Sequence, residues 1–397
     1  MGRKSLGALT ELLLPWGQCQ RPRVDVNIKE EIVKRLWWGI PVAAMVFAMA
    51  ACGDDGPNST APTPQFGTGT EGAAVEVDRA RLVAFSQLPA EVTPSAYEMT
   101  EELVDLGRML YYEHRMSISQ ELSCNSCHLL DQWGVDGVQF SLGHEGIPVG
   151  RNSPTVYNAA LHVAQFWDGR SPDVEDQAKG PILAAGEMGM PDPEYVMFVL
   201  RTIPGYVDMF DRVFPGDEDP MNYDNVAQAI GAFERRLTTP DRFDQFLGGD
   251  DEVLTNQEKA GLNLFLDLGC SSCHYGPALG GESYSRIGVV KEYPGVTDIG
   301  RFEVTGRDTD RFAFKVPSLR NILKTGPYLH DGSIATIEEM IKVMAEYQLG
   351  KNLTDQEVAD MVAFFGALTG DLPLDYIAIP ELPASGPDTP GPYEYND

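Results

Sequence analysis

A chain of 397 residues, 43% of them hydrophobic, is longer than one core usually serves and predicts two folded units with tails. Its net charge of −29 excludes nucleic acid as a partner, because phosphate binding needs the opposite sign, and suits a small basic protein drawn in over long range. Six cysteines, four of them confined to two short motifs, exclude a disulfide scaffold.

In chain order, Lys34 and Arg35 precede an apolar run from Leu36 to Ala51. Sixteen residues fall short of the roughly 20 that span a bilayer and match the apolar core of an export signal. The run ends in "MAAC", which resembles a bacterial lipobox, so Cys52 is expected to be lipidated and to become the first mature residue. Residues 1–52 thus read as signal peptide. Residues 1–32 fit badly in front of such a signal, so translation is expected to start at Val33, with Cys19 an artefact of the assigned start. The expected compartment is the periplasm, with the membrane touched only through the lipid. Seven of the 30 basic and four of the 59 acidic residues lie in 1–52, which leaves the exported chain at −32. Residues 53–78, rich in Gly, Pro, Ser and Thr, read as a flexible linker.

The middle of the chain has helical periodicity. Ser95-x-x-Glu98 and Thr255-x-x-Glu258 have the form of capping boxes and open the amphipathic runs "MTEELVDLGRMLYY" and "QEKAGLNLFLDLG". Each run leads into a C-x-x-C-H motif, an internal duplication. Thr354-x-x-Glu357 opens a third such helix, and Tyr223 to Leu237 is helical as well. Sustained period-two alternation is missing, so the expected class is all-α, with two cytochrome c-like domains at 79–238 and 239–371, each binding one haem. From Asp371 onward the sequence holds six acidic residues and no basic one. The Pro-rich tail 372–397 is expected to be a non-helical strap or loose end.

The motif Cys124-x-x-Cys127-His128 returns about 150 residues later as Cys270-x-x-Cys273-His274. In each, two thiols suit thioether bonds to a c-type haem and the histidine suits its proximal iron position. No further cysteine is available to complete a zinc site. For the sixth positions, His144 lies in the Gly-flanked segment "SLGHEGIPVGRN", and Met340, Met344 and Met361 all follow His274 at plausible spacing.

From about Leu106 to Pro373 the sequence resembles the bacterial dihaem cytochrome c peroxidases, through "LSCNSCH", "AQFWDGR", "DQAKGPI", "GEMGM", "GRFEVTG", "FKVPSLRNI", "TGPYLHDG" and "QLGKNLTDQEVADMVAFFGALTGD" in the family's order. The resemblance implies that His144 is the removable distal ligand of an N-terminal, low-potential, peroxidatic haem and that Met344 ligates a C-terminal, high-potential, electron-transfer haem. It implies that Trp167 relays electrons between them and that Gln177 and Glu187 are the polar pair of the peroxide pocket. O–O heterolysis needs a proton moved from one oxygen to the other, which suits a carboxylate. Asn152, Thr325 and the Pro327 carbonyl match an interdomain Ca2+ site built from oxygen donors. The implied activity is reduction of hydrogen peroxide to water with electrons from a small c-type cytochrome or a cupredoxin, in a homodimer. The alternatives are a related dihaem cofactor-maturation enzyme, which has tyrosine where Met344 stands, and a non-enzymatic dihaem electron carrier.

Overall fold

Short polar side chains start the helices of this protein, whose computed structural model describes residues 74–393. The export signal, Cys19, Cys52 and nearly all of the linker lie outside the described residues. Helices α1 (Glu101–Tyr111), α2 (Cys124–Cys127), α3 (Val174–Leu183), α4 (Pro193–Arg201), α5 (Pro204–Val213) and α6 (Tyr223–Glu234) belong to the first half of the chain. Helices α7 (Arg242–Leu247), α8 (Asn256–Leu268), α9 (Phe302–Thr305), α10 (Ile337–Val343) and α11 (Asp355–Gly366) follow. One antiparallel pair, β1 (Tyr284–Arg286) with β2 (Ala313–Lys315), sets Tyr284 opposite Lys315.

Two of the expected capping boxes form. Glu258 N–H donates to Thr255 Oγ1 at 3.2 Å and Thr255 N–H to the Glu258 carboxylate at 2.8 Å; Thr354 and Glu357 repeat the exchange at 3.3 and 2.7 Å. The box expected at Ser95 and Glu98 does not form. Helix α1 begins later and is capped by Thr100, whose hydroxyl accepts the Leu103 N–H at 3.2 Å. The reason is tertiary: the Tyr97 hydroxyl donates to Glu175, itself paired with Arg235 at 2.6 Å, and this holds the residues before α1 against α3 and α6.

Two hydrophobic clusters form. The first gathers Leu106, Leu110, Phe210 and Phe233 among others, the second Phe243, Phe265 and Phe364. Each is built on one close helix crossing. At Gly107 of α1 an added Cβ would stand 1.8 Å from the Ala229 carbonyl oxygen of α6; at Gly261 of α8 it would stand 1.9 Å from that of Asp360 in α11. Only glycine permits either approach. The duplication extends to loops. Asn158 and Asn321, both left-handed at φ 62° and 61°, donate their side-chain amides to the same Thr239 hydroxyl, at 3.0 and 2.8 Å.

The ends of the described chain cross over. Leu82 and Phe85, assigned by sequence to the first domain, pack in the second cluster, and the Val75 N–H donates to Asn256 at 3.0 Å. The tail runs the other way. Ile377 joins the first cluster and accepts from the Tyr112 hydroxyl at 2.6 Å, and the Tyr393 N–H donates to the Ile118 carbonyl at 3.0 Å. The non-helical tail is thus a strap.

Candidate functional site

Both C-x-x-C-H motifs end in a half-buried histidine whose Nδ1 is turned to the backbone. His128 Nδ1 lies 3.4 Å from the Gly134 carbonyl oxygen and His274 Nδ1 3.2 Å from that of Leu279. Burial lowers both pKa values, His274 to about 4, while carbonyls of Gly134 and Pro154, or of Leu279 and Pro317, act in the opposite sense. A neutral ring with Nδ1 engaged offers Nε2 to a metal, the orienting arrangement of ligand histidines. The thiols are not reactive dithiols. Burial pushes Cys127 up to about 11 and Cys270 up to about 12, and Cys124 also upward.

The second motif opens onto a cavity of about 350 Å³ lined by Cys270, Cys273 and His274. Met340, Met344 and Met361 all line it, so the structure brings every methionine considered to one place. They differ in setting. Met361 is 4% exposed and belongs to the second cluster, whereas Met344 opens a π-helical turn, Met344–Gln348, that continues α10. Such turns re-aim side chains and are frequent at functional sites.

Around the first motif lie carboxyls. The His144 N–H donates to the Glu187 carbonyl at 2.8 Å, and the His144 ring packs so closely on Gly189 that a Cβ there would stand 2.7 Å from Cδ2. Glu187 bears electrostatically on the Cys127 thiol. Burial raises the pKa of Glu187 above the ordinary carboxylate range, with Arg170 opposing. Gln177 sits half-buried on α3, whose exit loop carries Glu187. Trp167 lines the second cavity and donates its indole N–H to the Asn152 carbonyl at 2.9 Å, while Lys315 N–H donates to the Trp167 carbonyl at 2.7 Å.

A family model described as di-haem cytochrome c peroxidase matches residues 101–252. The chain is 42% identical over 316 residues to the cytochrome c551 peroxidase of Pseudomonas aeruginosa, covering 78% of this chain and 90% of that protein. The chain belongs to the di-haem cytochrome c peroxidase family. The cytochrome c551 peroxidase of Nitrosomonas europaea is 44% identical, over 76% of this chain and 89% of that protein. A solved MauG-like protein associated with microbial copper homeostasis is 30% identical, with TM-score 0.65 over 74% of this chain and 95% of that one.

The residues present fit the haems of this peroxidase family. Beyond the thiols and imidazoles, the second cavity wall carries polar atoms suited to a haem carboxylate side chain. His162 Nε2 is buried with no hydrogen-bond partner among the described residues, and Lys315 Nζ lies 3.0 Å from His162 Nδ1. Burial lowers Lys315 to about 8 and His162 well below its usual value. Sequence reading missed this pair because its members are 153 residues apart. It also missed the carbonyls that hold the histidines, although "NSPTVYN" and "KVPSLRN", aligned, mark Pro154 with Pro317 and Asn158 with Asn321.

Asn152, Thr325 and Pro327 are brought to one cavity wall. The Asn152 side-chain nitrogen donates to Val138 and Gln139 carbonyls at 3.0 and 3.3 Å, leaving its side-chain oxygen for another partner. Among the described residues no group of three or more His, Cys, Asp or Glu is placed to hold a metal ion, so a cation here would rest on neutral oxygens.

Proposed function

We infer that this chain is a cytochrome c peroxidase that reduces hydrogen peroxide to water, with two electrons from a small c-type cytochrome or a cupredoxin and two protons from solvent. The observation that carries this reading is Glu187, a half-buried carboxyl whose pKa is raised by desolvation, tied through its backbone carbonyl to the His144 N–H and within electrostatic range of Cys127. The two haems, when bound, supply two one-electron couples. Two domains, at 79–238 and 239–371, would each hold one of them; the two hydrophobic clusters support a division of this kind except at Leu82 and Phe85, which pack in the second cluster.

Cys124, Cys127 and His128 would hold the first, low-potential haem, with His144 as a removable ligand. Cys270, Cys273, His274 and Met344 hold the second, high-potential one. Glu187, with Gln177 as the second polar group of the pocket, takes the proton from one peroxide oxygen and returns it to the other as the O–O bond breaks, the service a carboxyl of raised pKa gives near neutrality. Trp167 stands in the electron path, fixed at its indole N–H and its carbonyl. Ca2+ is held by Asn152, Thr325 and the Pro327 carbonyl. The enzyme acts in the periplasm as a homodimer anchored by lipid at Cys52.

The cofactor-maturation alternative is less favoured, because the MauG-like structure is at 30% identity whereas the named peroxidases are at 42% and 44%. Anaerobic mixing of the pre-reduced holoprotein with peroxide and excess reduced c-type cytochrome tests the reading. Catalytic oxidation of two cytochromes per peroxide is expected; donor oxidation that stops after one equivalent of enzyme would leave only an electron carrier.

A further inference from the structure

The two helix crossings set residues of the two halves in correspondence. Gly107 answers to Gly261, Ala229 to Asp360 and Phe233 to Phe364. Four residues after the glycines stand Tyr111 and Phe265; one after the phenylalanines stand Glu234 and Phe365. The loops keep the same register on the last helix, since Asn158 N–H donates to the Leu237 carbonyl at 2.7 Å and Asn321 N–H to that of Leu368 at 2.8 Å. Phe265 and Phe365 both line the cavity that contains Cys270, Cys273 and His274. The first half therefore puts a phenol and a carboxyl where the second puts two phenyl rings.

Tyr111 has a partner outside this pair, because its hydroxyl donates to the His128 carbonyl at 2.8 Å. Glu234 is 6% exposed. Its carboxylate bears on Cys124 and on Tyr111, raising the pKa of each after burial has done so. The charged groups that face it are Glu175, which opposes its ionisation, and Arg235, which favours it. Arg235 is engaged elsewhere, through two hydrogen bonds to the Glu175 carboxylate at 2.6 and 2.9 Å. Burial, the largest influence, pushes Glu234 up to about 8. A carboxyl so placed changes its protonation when a neighbouring charge changes by one.

We propose that Glu234 is the proton acceptor that accompanies reduction of the first haem site, and that its carboxylate lowers the potential of that site and makes it dependent on pH. The proposal rests on the reading of two unequal haems. One electron from the protein donor enters the first site and one solvent proton forms an O–H bond on the Glu234 carboxylate, so the charge of the buried site is unchanged. Oxidation of the site releases that proton. Because an added electron disfavours the carboxylate, the Glu234 pKa is higher in the reduced state. The first-site potential then falls as pH rises between the two pKa values and is flat outside them. Phe365 offers no such group, so the second site lacks this coupling.

The test is a spectroelectrochemical titration of the two-haem holoprotein from about pH 5 to about pH 9. The second couple is assigned by Met344→His, which moves it. In the wild type the first couple is expected to fall with pH. In Glu234→Gln its pH dependence disappears, and at the alkaline end its reduction equilibrium rises about tenfold, which is about 59 mV for one electron. The second couple stays in place, and Glu234→Asp retains the slope. A first couple that does not vary with pH in the wild type overturns the proposal without any variant. Wild-type behaviour in Glu234→Gln, with two separate couples still present, overturns it while leaving the two-site reading intact. A holoprotein with a single couple overturns both.

Discussion

Around its C-x-x-C-H motif the second half gathers Phe265, Phe365 and three methionines, whereas the first gathers Tyr111, Glu234 and Glu187. The backbones that carry these walls follow one plan, down to a glycine at each helix crossing and a left-handed asparagine four residues after each of Pro154 and Pro317. The difference teaches that one backbone plan can carry facing side chains of opposite chemical character. An apolar wall with a thioether suits a site that exchanges electrons and no protons. A wall with buried carboxyls suits one whose chemistry consumes protons.

The largest break in this comparison is expected from Glu187→Gln. It keeps the shape of the first site, removes its acid/base group, and should lower peroxide turnover by about 10²- to 10⁴-fold at unchanged haem content, measured with reduced cytochrome as donor. Because burial raises the Glu187 pKa, the wild-type pH profile should carry a limb above the ordinary carboxylate range, and the variant should lose it.

Met344→His comes next and sharpens the comparison from the other side. It should lower the second couple by more than a tenfold step in the reduction equilibrium, about 59 mV, and slow donor oxidation. Met340→Leu should leave that couple alone; a fall there instead would make Met340 the ligand. His144→Gly should act on access to the first site. The fully oxidised variant is expected to bind cyanide without prior reduction, by about tenfold or more over the wild type in equilibrium titration. A variant that still needs one electron first would remove His144 as the gate.

The smallest effects test the shared plan. Gly107→Ala and Gly261→Ala each drive a Cβ into a helix carbonyl, 1.8 and 1.9 Å away, and each should cost about 1–3 kcal/mol in denaturant unfolding of the holoprotein. Similar losses in the two halves support a duplicated scaffold, and a loss in one alone would break it.

Much of the scaffold is legible in the sequence because its determinants are local. Thr255 with Glu258 and Thr354 with Glu357 are three residues apart, and the boxes they spell do form. Ser95 with Glu98 spells the same box, but Tyr97 is held by Glu175 from 78 residues away and the helix starts later. The tail was open between a strap and a loose end, because what decides it is Tyr112 and Arg115 donating to Ile377 and Pro383 carbonyls more than 260 residues on. Among methionines, spacing could not separate Met340, Met344 and Met361, and all three reach one cavity.

By itself the sequence determined the two C-x-x-C-H motifs, the helical class and the starts of α6, α8 and α11, since covalent spacing, capping and periodicity act between residues a few positions apart. Only the tertiary structure decided which of the polar side chains are buried. Glu234, Lys315 and His162 read in sequence as ordinary charged or polar residues, and so does Glu187 apart from the family resemblance. Burial by segments distant in the chain is what shifts their protonation, raising the two carboxyls and lowering the lysine and the imidazole, because desolvation disfavours whichever form carries the charge.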